Sequence, residues 1–248
     1  MPIRGNVSSK GFREFAMASG EMSSKQFSAF LSKWLTNARK VSRDGAIFHV
    51  FMDWRHMQEM LAAIDTAELR LMNLCVWVKS NAGMGTFYRS QHELVFVLKN
   101  GTAPHINNFG LGARGRNRSN VWRYPNVVHG VRRGISDPEK GHPTPKPVAA
   151  IIDALKDCSR RGDVILDPFA GSGTTVIAAE RIGRRARLIE LDPHYVDLII
   201  RRWQVVTGGS AALAGNGHSF AQLEAERAAG TEREGIRESS PMGVSNEE

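Results

Sequence analysis

The feature that most constrains the fold is a strand, a glycine-rich bend, a helix and a second strand in succession. Residues 163–190 read DVILDPFAGSGTTVIAAERIGRRARLIE. The apolar runs that end at Asp167 and Glu190 predict two buried strands, and the run between them has helical spacing. This alternation predicts a mainly parallel, twisted sheet with helices on both faces.

Alternating helices and strands are predicted over most of the chain. Caps and periodicity predict a helix over 23–40, and apolar runs predict strands around 45–53, 70–81 and 92–100. Further helices are expected over 54–67, 148–159 and 194–206. Residues 102–141 are rich in Gly, Asn, Arg and Pro and predict a long functional loop or small insert.

Composition limits the class of protein. The 248 residues suffice for one α/β core, and they contain neither an apolar run of transmembrane length nor an apolar signal segment. We therefore expect a cytoplasmic protein. Its two cysteines are too few for a disulfide framework and are expected to be core residues. Residues 208–248 are predicted to be a disordered tail with a short helix near 220–229.

Charge is distributed unevenly along the chain. The net charge is +8, yet residues 208–248 hold seven Glu and three Arg, so residues 1–207 carry +12. A basic folded body indicates a polyanionic partner such as nucleic acid.

The glycine bend does not match a phosphate-binding loop. A P-loop needs a Lys after its last glycine, where this chain has Thr174 and Thr175. A dinucleotide fingerprint needs a third glycine, where this chain has Val176. Instead, two acids flank the bend, which suits a ligand with a ribose and a positive charge. S-adenosylmethionine is such a ligand, because its sulfonium and amino groups are cationic and it has no phosphate.

Several motifs together resemble the β class of DNA amino-methyltransferases. These are DPFAGSGTT, IELDPHY and, before them, HPTPKP, with GAIFHVFMDWRHM, NLCVWVKSNAGMGTFYRSQHELVFVLKNG and GRNRSNVW upstream. The resemblance covers residues 5–205 and implies a Rossmann-like, S-adenosylmethionine-dependent methyltransferase fold. It divides the chain into a partial catalytic half (1–100), a target-recognition insert (101–141), a cofactor-binding half (142–207) and the tail.

The resemblance also implies a set of cofactor-binding residues. Glu190 would hold the ribose, and Thr144 and Lys146 of HPTPKP would lie near the methionine carboxylate, where a Lys suits the charge. The remaining residues that would line the cofactor are Asp167, Phe169, Gly171, Ser172, Gly173 and Thr174.

Arginines in the insert are the candidates for contact with double-stranded DNA. Residues 102–141 carry a net charge of +5, which can neutralise phosphates, and Arg side chains can also read base edges. A solvated basic loop is the alternative. The candidates are Arg114, Arg116, Arg118, Arg123, Arg132 and Arg133. The resemblance also leaves a homodimer open.

The catalytic motif of this family, Asp/Asn/Ser-Pro-Pro-aromatic, is not found in the sequence. DPHY at 192–195 has one Pro and is interpreted as a helix start, with Asp192 as the cap. Two explanations are open: Met1 stands at an internal position because of a misassigned start codon, or the chain is truncated. Without the motif we assign no catalytic residue and expect one central strand of the sheet to be missing.

Other polar and aromatic groups remain ambiguous. Asp53, Arg55 and His56 follow a strand end and favour a helix cap over a site. Phe87 and Tyr88 fit either core packing or stacking on an extruded base. No cluster has the spacing of metal ligands, so we predict no metal.

The resemblance thus implies a site-specific DNA methyltransferase of the restriction-modification type. It would modify the exocyclic amine of adenine rather than cytosine, and residues 1–248 alone would be inactive. One alternative is a non-catalytic remnant that binds cofactor or DNA. Another keeps the fold with RNA or a small molecule as the substrate, although the basic insert disfavours a small molecule.

Overall fold

A computed structural model describes residues 22–238 except 84, 86, 114, 116 and 127–145. The chain divides into two compact units, Met1–Ile199 and Ile200–Glu248. The first unit holds both of the sheets described below and all of the predicted cofactor-binding residues that the structure describes.

The larger sheet has four strands in the order β1-β3-β2-β4. They are β1 (Ile47–Met52), β2 (Arg70–Val78), β3 (His92–Lys99) and β4 (Val121–Arg123). Strand β3 is antiparallel to both β1 and β2, whereas β4 is parallel to β2. Strands β1, β2 and β4 therefore end at one edge of the sheet, where β3 begins.

Helices cover both faces of this sheet. Helix α1 (Ser24–Val41) and helix α2 (Met57–Thr66) pack on one face, and Ser23 and Gln26 form a capping box at the start of α1. Helix α3 (Val148–Cys158) contributes Ala154 to the other face. The first core contains Leu31, Leu35, Met60, Ile64, Phe96 and Leu98, and the second Cys75, Trp77, Val95 and Trp122.

The smaller sheet carries the glycine bend. Strands β5 (Val164–Asp167) and β6 (Arg185–Leu188) are parallel and are connected by helix α4 (Thr174–Arg181). Helices α3 and α4 form a third core, and Phe51 of β1 packs against it as well as against the second core. The two sheets are therefore parts of one folded body.

The sheet lies in two parts, and its pairing is more mixed than the alternation suggested. Among the described residues, β1 pairs only with β3, and β5 pairs only with β6. Val164 and Leu166 of β5 are 53% and 38% exposed, which is unusual for a strand of this fold class. The antiparallel pairs arise because β2 and β3 form a hairpin, and a hairpin reverses the chain direction.

The C-terminal region differs from the predicted disordered tail. Helix α5 (Pro193–Thr207) is followed by helix α6 (Phe220–Glu238). Ser219 caps α6 by accepting a hydrogen bond from the Gln222 backbone N–H, while the Gln222 side chain accepts one from the Ser219 N–H. Arg201 bonds Glu224 at 2.7 Å and lies over the ring of Phe220. The short helix expected near 220–229 thus lies within a longer helix. Residues 239–248 lie outside the described residues.

Candidate cofactor site and basic surface

Asp167 ties the end of β5 to the start of α4. Its Oδ1 accepts a hydrogen bond from the backbone N–H of Phe169 at 3.0 Å, and its Oδ2 accepts one from Thr175 Oγ1 at 2.6 Å. Gly171 and Gly173 adopt φ values of 53° and 78°, in the left-handed region that favours glycine. The predicted strand–bend–helix is therefore present, with its acid serving as an internal brace.

Gly173 is also required by close packing. A Cβ atom on Gly173 would lie 2.9 Å from Ile199 Cγ1. Helix α5 therefore passes so close to the bend that a side chain cannot be accommodated without movement.

We expect Gly173→Ala to destabilise the first unit more than Gly162→Ala does. Both glycines have positive φ, 78° and 83°, but a Cβ on Gly162 would meet nothing within 4 Å. The control should lose about 1 kcal/mol to backbone strain, and Gly173→Ala a further ~1–3 kcal/mol to the collision. Urea unfolding of the two variants measures the difference. Equal losses would show that Ile199 gives way freely.

Glu190 reaches across to the bend from the end of β6. Its Oε2 accepts a hydrogen bond from the Gly171 N–H at 2.7 Å, and its Oε1 accepts one from the Asp192 N–H at 3.0 Å. Backbone bonds from Ile189 N to the Asp167 oxygen and from Ala170 N to the Ile189 oxygen extend the pairing beyond both strands. The structure thus brings the two predicted acids together on either side of the glycines.

The other bend residues differ in accessibility. Phe169 is 50% exposed and packs edge-on against Trp34 and Phe30 of α1, with ring centroids 5.2 and 6.0 Å away. Ser172 and Thr174 are buried, so they shape the bend from within the fold. Of this set, Phe169 presents the largest surface to a ligand.

Lys146 is held by a carboxylate that the sequence reading did not assign to the site. Its Nζ lies 2.9 Å from Glu93 Oε1, and Lys79 Nζ lies 3.0 Å from Glu93 Oε2. The backbone oxygen of Lys146 accepts a hydrogen bond from Thr174 Oγ1 at 3.2 Å. The start of β3 is therefore connected to the start of α4 through Lys146.

Electrostatics favour an ionised Glu93. Burial alone would raise the pKa of its carboxyl, but the nearby Lys146 and Lys79 outweigh burial and hold that pKa below its ordinary value. Lys146 also lies over the rings of Phe51 and Trp77, 5.5 and 6.0 Å from their centroids. Two ammonium groups and one carboxylate leave one excess positive charge beside the bend.

This donor set fits S-adenosylmethionine. Carboxylate oxygens have about four acceptor positions, so Glu190 can accept a ribose hydroxyl in addition to its two backbone donors. The excess positive charge of Lys79 and Lys146 suits the carboxylate of the methionine moiety, and the acids suit its cationic groups. Asp167, Gly171, Glu190, Phe169 and Lys146 are the residues that would hold it.

The predicted nucleic-acid residues fall into three groups. Arg123 lies on β4 and is exposed. Arg118 instead bonds Asp157 at 3.1 Å and Tyr124 Oη at 2.9 Å and packs against Trp122. Its guanidinium is therefore engaged by side chains of the fold. Arg114, Arg116, Arg132 and Arg133 lie outside the described residues, as does Thr144 of the predicted cofactor-binding set.

The start of the predicted insert belongs to the main fold. Strand β4 pairs with β2, and Trp122 is 4% exposed. Tyr124 donates a hydrogen bond to Asp153 of α3 at 2.6 Å. A strand of three residues is too short for sequence periodicity to reveal it.

Three ambiguous groups have structural explanations. Asp53 accepts a hydrogen bond from the Arg55 N–H at 2.8 Å and pairs with its guanidinium, as a cap does. Asp192 accepts one from the His194 N–H at 2.9 Å where α5 begins, in agreement with the helix-start interpretation of DPHY. Burial raises the pKa of Cys75 to about 11 and that of Cys158 to about 12, so neither is a reactive thiolate.

Over the residues that the structure describes, no three His, Cys, Asp or Glu side chains come together in a way that could hold a metal ion. In that same part of the chain, none of the helices has both the length and the apolar character that crossing a bilayer requires.

Comparison with known sequences identifies relatives. A family model described as DNA methylase matches residues 8–201. Type II methyltransferase M2.MboI of Moraxella bovis is 25% identical over 186 residues, 72% of this chain and 66% of that protein. Type II methyltransferase M.ScaI of Streptomyces caespitosus is 41% identical over 88 residues, 36% of this chain and 29% of that protein. The chain spans less than two thirds of each relative.

Solved structures give the same fold. The crystal structure of the M1.HpyAVI–SAM complex matches with a TM-score of 0.58 and 20% identity over 73% of this chain and 85% of that one. PvuII DNA methyltransferase, which is cytosine-N4-specific, matches with a TM-score of 0.63 and 16% identity over 83% and 77%. These likenesses confirm the fold class expected from the sequence.

Proposed function

Because the chain belongs to the DNA methylase family matched over residues 8–201, we propose that it binds S-adenosylmethionine and double-stranded DNA for site-specific methylation. The methyl group would pass from the sulfonium to an exocyclic amine, for which we propose adenine rather than cytosine. We propose a cytoplasmic location, where the protein has access to its DNA substrate.

The observation that carries the proposal is the contact between Glu190 and Gly171. A carboxylate from one strand tip bonds the backbone of the bend at the neighbouring tip, at 2.7 Å. This contact fixes a carboxylate beside a bend whose glycines leave the backbone accessible. A nucleoside can approach such a bend closely, and the acid is positioned for its ribose.

Each residue of the site has a distinct task in this proposal. Glu190 binds and orients the ribose, and Asp167 keeps the bend in shape. Phe169 offers an apolar surface, while Lys146 and Lys79 attract a carboxylate. The cofactor supplies an electrophilic methyl group, and the protein's contribution at this site is to hold its donor in a fixed orientation.

The net positive charge of the chain supports DNA as its polyanionic partner. Residues 1–207 carry a net +12, and Arg123 is exposed on β4. Phosphate contacts of this kind supply affinity and register, while base contacts supply sequence discrimination. The relatives M2.MboI and M.ScaI are both type II methyltransferases.

A second candidate function rests on a specific observation. The 248 residues contain no Pro-Pro dipeptide, so no segment here matches the motif that orients the target amine. A chain with these residues alone would bind cofactor or DNA without transferring methyl. This candidate shares the cofactor site with the first and differs in chemistry.

Methyl transfer separates the two candidates: both require binding of S-adenosylmethionine, and the absence of a Pro-Pro dipeptide leads us to predict no transfer to DNA from residues 1–248 alone. The measurement is incorporation of labelled methyl into mixed-sequence duplex DNA, alongside calorimetric titration of the cofactor. Digestion of the DNA to nucleosides would distinguish N6-methyladenine from N4-methylcytosine if transfer occurred. Turnover at ordinary rates would refute the predicted inactivity, and lack of cofactor binding would refute the site.

A further inference from the structure

Arg118 is the centre of a partly buried charged cluster at the base of the insert. Its side chain is 18% exposed, and its Nε donates a hydrogen bond to Asp157 Oδ2 at 3.1 Å. Its Nη1 lies 2.9 Å from Tyr124 Oη and 3.6 Å from Asp153 Oδ2. Tyr124 in turn donates to Asp153 at 2.6 Å. One guanidinium therefore joins a residue that follows β4 to two carboxylates of α3.

The cluster is held by charge as well as by hydrogen bonds. Burial alone would lower the pKa of Arg118, but the Tyr124 hydrogen bond and the two carboxylates outweigh burial and hold that pKa above its ordinary value. Burial and the hydrogen bond to Asp153 raise the pKa of Tyr124, so the phenol keeps its proton and can donate it. The planar guanidinium supplies the separate donors that these partners require.

Further hydrogen bonds fasten the same segment to α3 and β2. The Asn108 side chain donates to the backbone oxygens of Lys156 and Ser159, both at 2.9 Å, where α3 ends. Trp77 Nε1 donates to the backbone oxygen of Tyr124 at 2.9 Å. The described residues between 108 and 124 are therefore attached to the fold at both ends.

Helix α3 extends from this cluster to the cofactor site. It begins two residues after Lys146, and its 11 residues span about 16 Å. Lys146 binds Glu93, and its backbone oxygen accepts the hydrogen bond of Thr174 at the start of α4. The carboxylates that hold Arg118 thus lie on the helix whose start is fixed by Lys146.

Strand β4 divides its side chains between the Arg118 cluster and solvent. Trp122 is 4% exposed, and Arg118 lies over its ring at 5.4 Å from the centroid, whereas the neighbouring Arg123 is exposed. A DNA phosphate would have to compete with Asp157 and Tyr124 for the Arg118 guanidinium. Arg123 is accessible to a phosphate without such competition, so the two arginines suit different tasks.

We infer that Arg118 is a positioning residue, which fixes the base of the insert on α3 and thereby links DNA binding to cofactor binding. The inference rests on the proposed function and extends it, because it gives Arg118 a role that requires no contact with DNA. Bound cofactor engages Lys146 beside the start of α3, and α3 holds the insert through Arg118. Each ligand then lowers the cost of ordering the surface that binds the other, which is positive coupling.

The test measures the affinity of the full chain for a mixed-sequence duplex with and without S-adenosylmethionine. We expect the cofactor to strengthen DNA binding about 5-fold or more in the wild type. Tyr124→Phe, which removes one phenol oxygen, and Arg118→Gln, which removes the guanidinium, should each reduce this coupling factor towards one. Because both act through one contact, the double variant should lose no more coupling than Arg118→Gln alone.

Arg123→Ala separates positioning from direct phosphate contact. It removes an exposed arginine of β4, so it should reduce the salt dependence of DNA binding by about one counterion and keep the coupling factor. Arg118→Gln removes the same charge but should leave the salt slope unchanged. Melting temperatures are recorded for all variants, and Tyr124→Phe, which keeps every charge of the cluster, tests the coupling in a fold as stable as the wild type.

The outcomes distinguish this inference from the proposed function. A wild type that binds both ligands independently, or a Tyr124→Phe variant with the full coupling factor, would overturn the link and leave DNA and cofactor binding intact. A salt slope that fell in Arg118→Gln as it does in Arg123→Ala would place Arg118 on DNA. A wild type that binds cofactor but no DNA would overturn DNA as the partner together with the link, and loss of cofactor binding would count against the bend.

Discussion

Replacing Glu93 by alanine is expected to lower the free energy of unfolding by about 3 kcal/mol. The side chain of Glu93 is 14% exposed and pairs with Lys79 and Lys146, which are each 25% exposed. Removing the carboxylate leaves two ammonium groups close together beside the rings of Trp77 and Phe51 without their counter-charge. Urea unfolding of the two proteins measures the loss.

A surface ion pair provides the control for Glu93. Glu68 bonds Arg39 at 2.8 Å but is 72% exposed, so Glu68→Ala should cost less than ~1 kcal/mol. Similar losses for Glu93→Ala and Glu68→Ala would mean that the Glu93 cluster is as well solvated as a surface pair. Its link to the cofactor bend would then be weak.

The effect of Glu93 should also depend on pH. Because its pKa in the folded protein lies below the ordinary value of 4.5, its contribution is fully present above that value and is lost as the pH falls. The stability gap between the wild type and Glu93→Gln should thus stay constant from neutral pH to about 5 and narrow below it. A gap that widened in acid would show that the pKa of Glu93 is raised, not lowered, in the folded protein.

Cofactor affinity should fall about 10- to 100-fold in Glu190→Ala, the range expected when hydrogen bonds to a charged group are lost. The variant removes the acceptor for the Gly171 and Asp192 N–H groups as well as the proposed ribose contact. Asp167→Ala should act similarly, because it releases the Phe169 N–H and the Thr175 hydroxyl. Calorimetric titration with S-adenosylmethionine measures both.

Asp163 is the matched control for these acids. Its Oδ2 accepts a hydrogen bond from the Arg160 N–H at 2.8 Å, so it also braces a turn, but at the opposite end of β5. Asp163→Ala should lose stability and keep its cofactor affinity. Unchanged affinity in both Glu190→Ala and Asp167→Ala would remove the proposed pocket.

Local patterns were sufficient to predict most elements. The helix expected over 23–40 is observed at Ser24–Val41, and that over 148–159 at Val148–Cys158. The acids at Asp167 and Glu190 and the intervening glycines lie together as predicted, because parallel neighbouring strands end at one edge. Periodicity and end signals are properties of adjacent residues, and the sequence displays them directly.

Contacts between distant residues could not be predicted in this way. Glu93 and Lys146 are 53 positions apart, so nothing local indicates that they pair. Arg118 bonds Asp157, which lies 39 positions further along the chain, so its local sequence does not indicate this partner. The sequence also could not show that Phe87 and Tyr88 are exposed, because an aromatic pair looks the same in a sequence whether it is buried or exposed.

The bonds of Tyr124 to Asp153 and of Lys146 to Glu93 attach the chain to one body on both sides of residues 127–145. On the proposed function, the insert residues up to 141 can diverge while these two anchors keep the described cofactor-binding residues in place. Substitutions in this segment would then change the DNA sequence that is recognised and leave the cofactor site unchanged. Exchange of this segment between related proteins would be one way in which new DNA sequence specificities evolve.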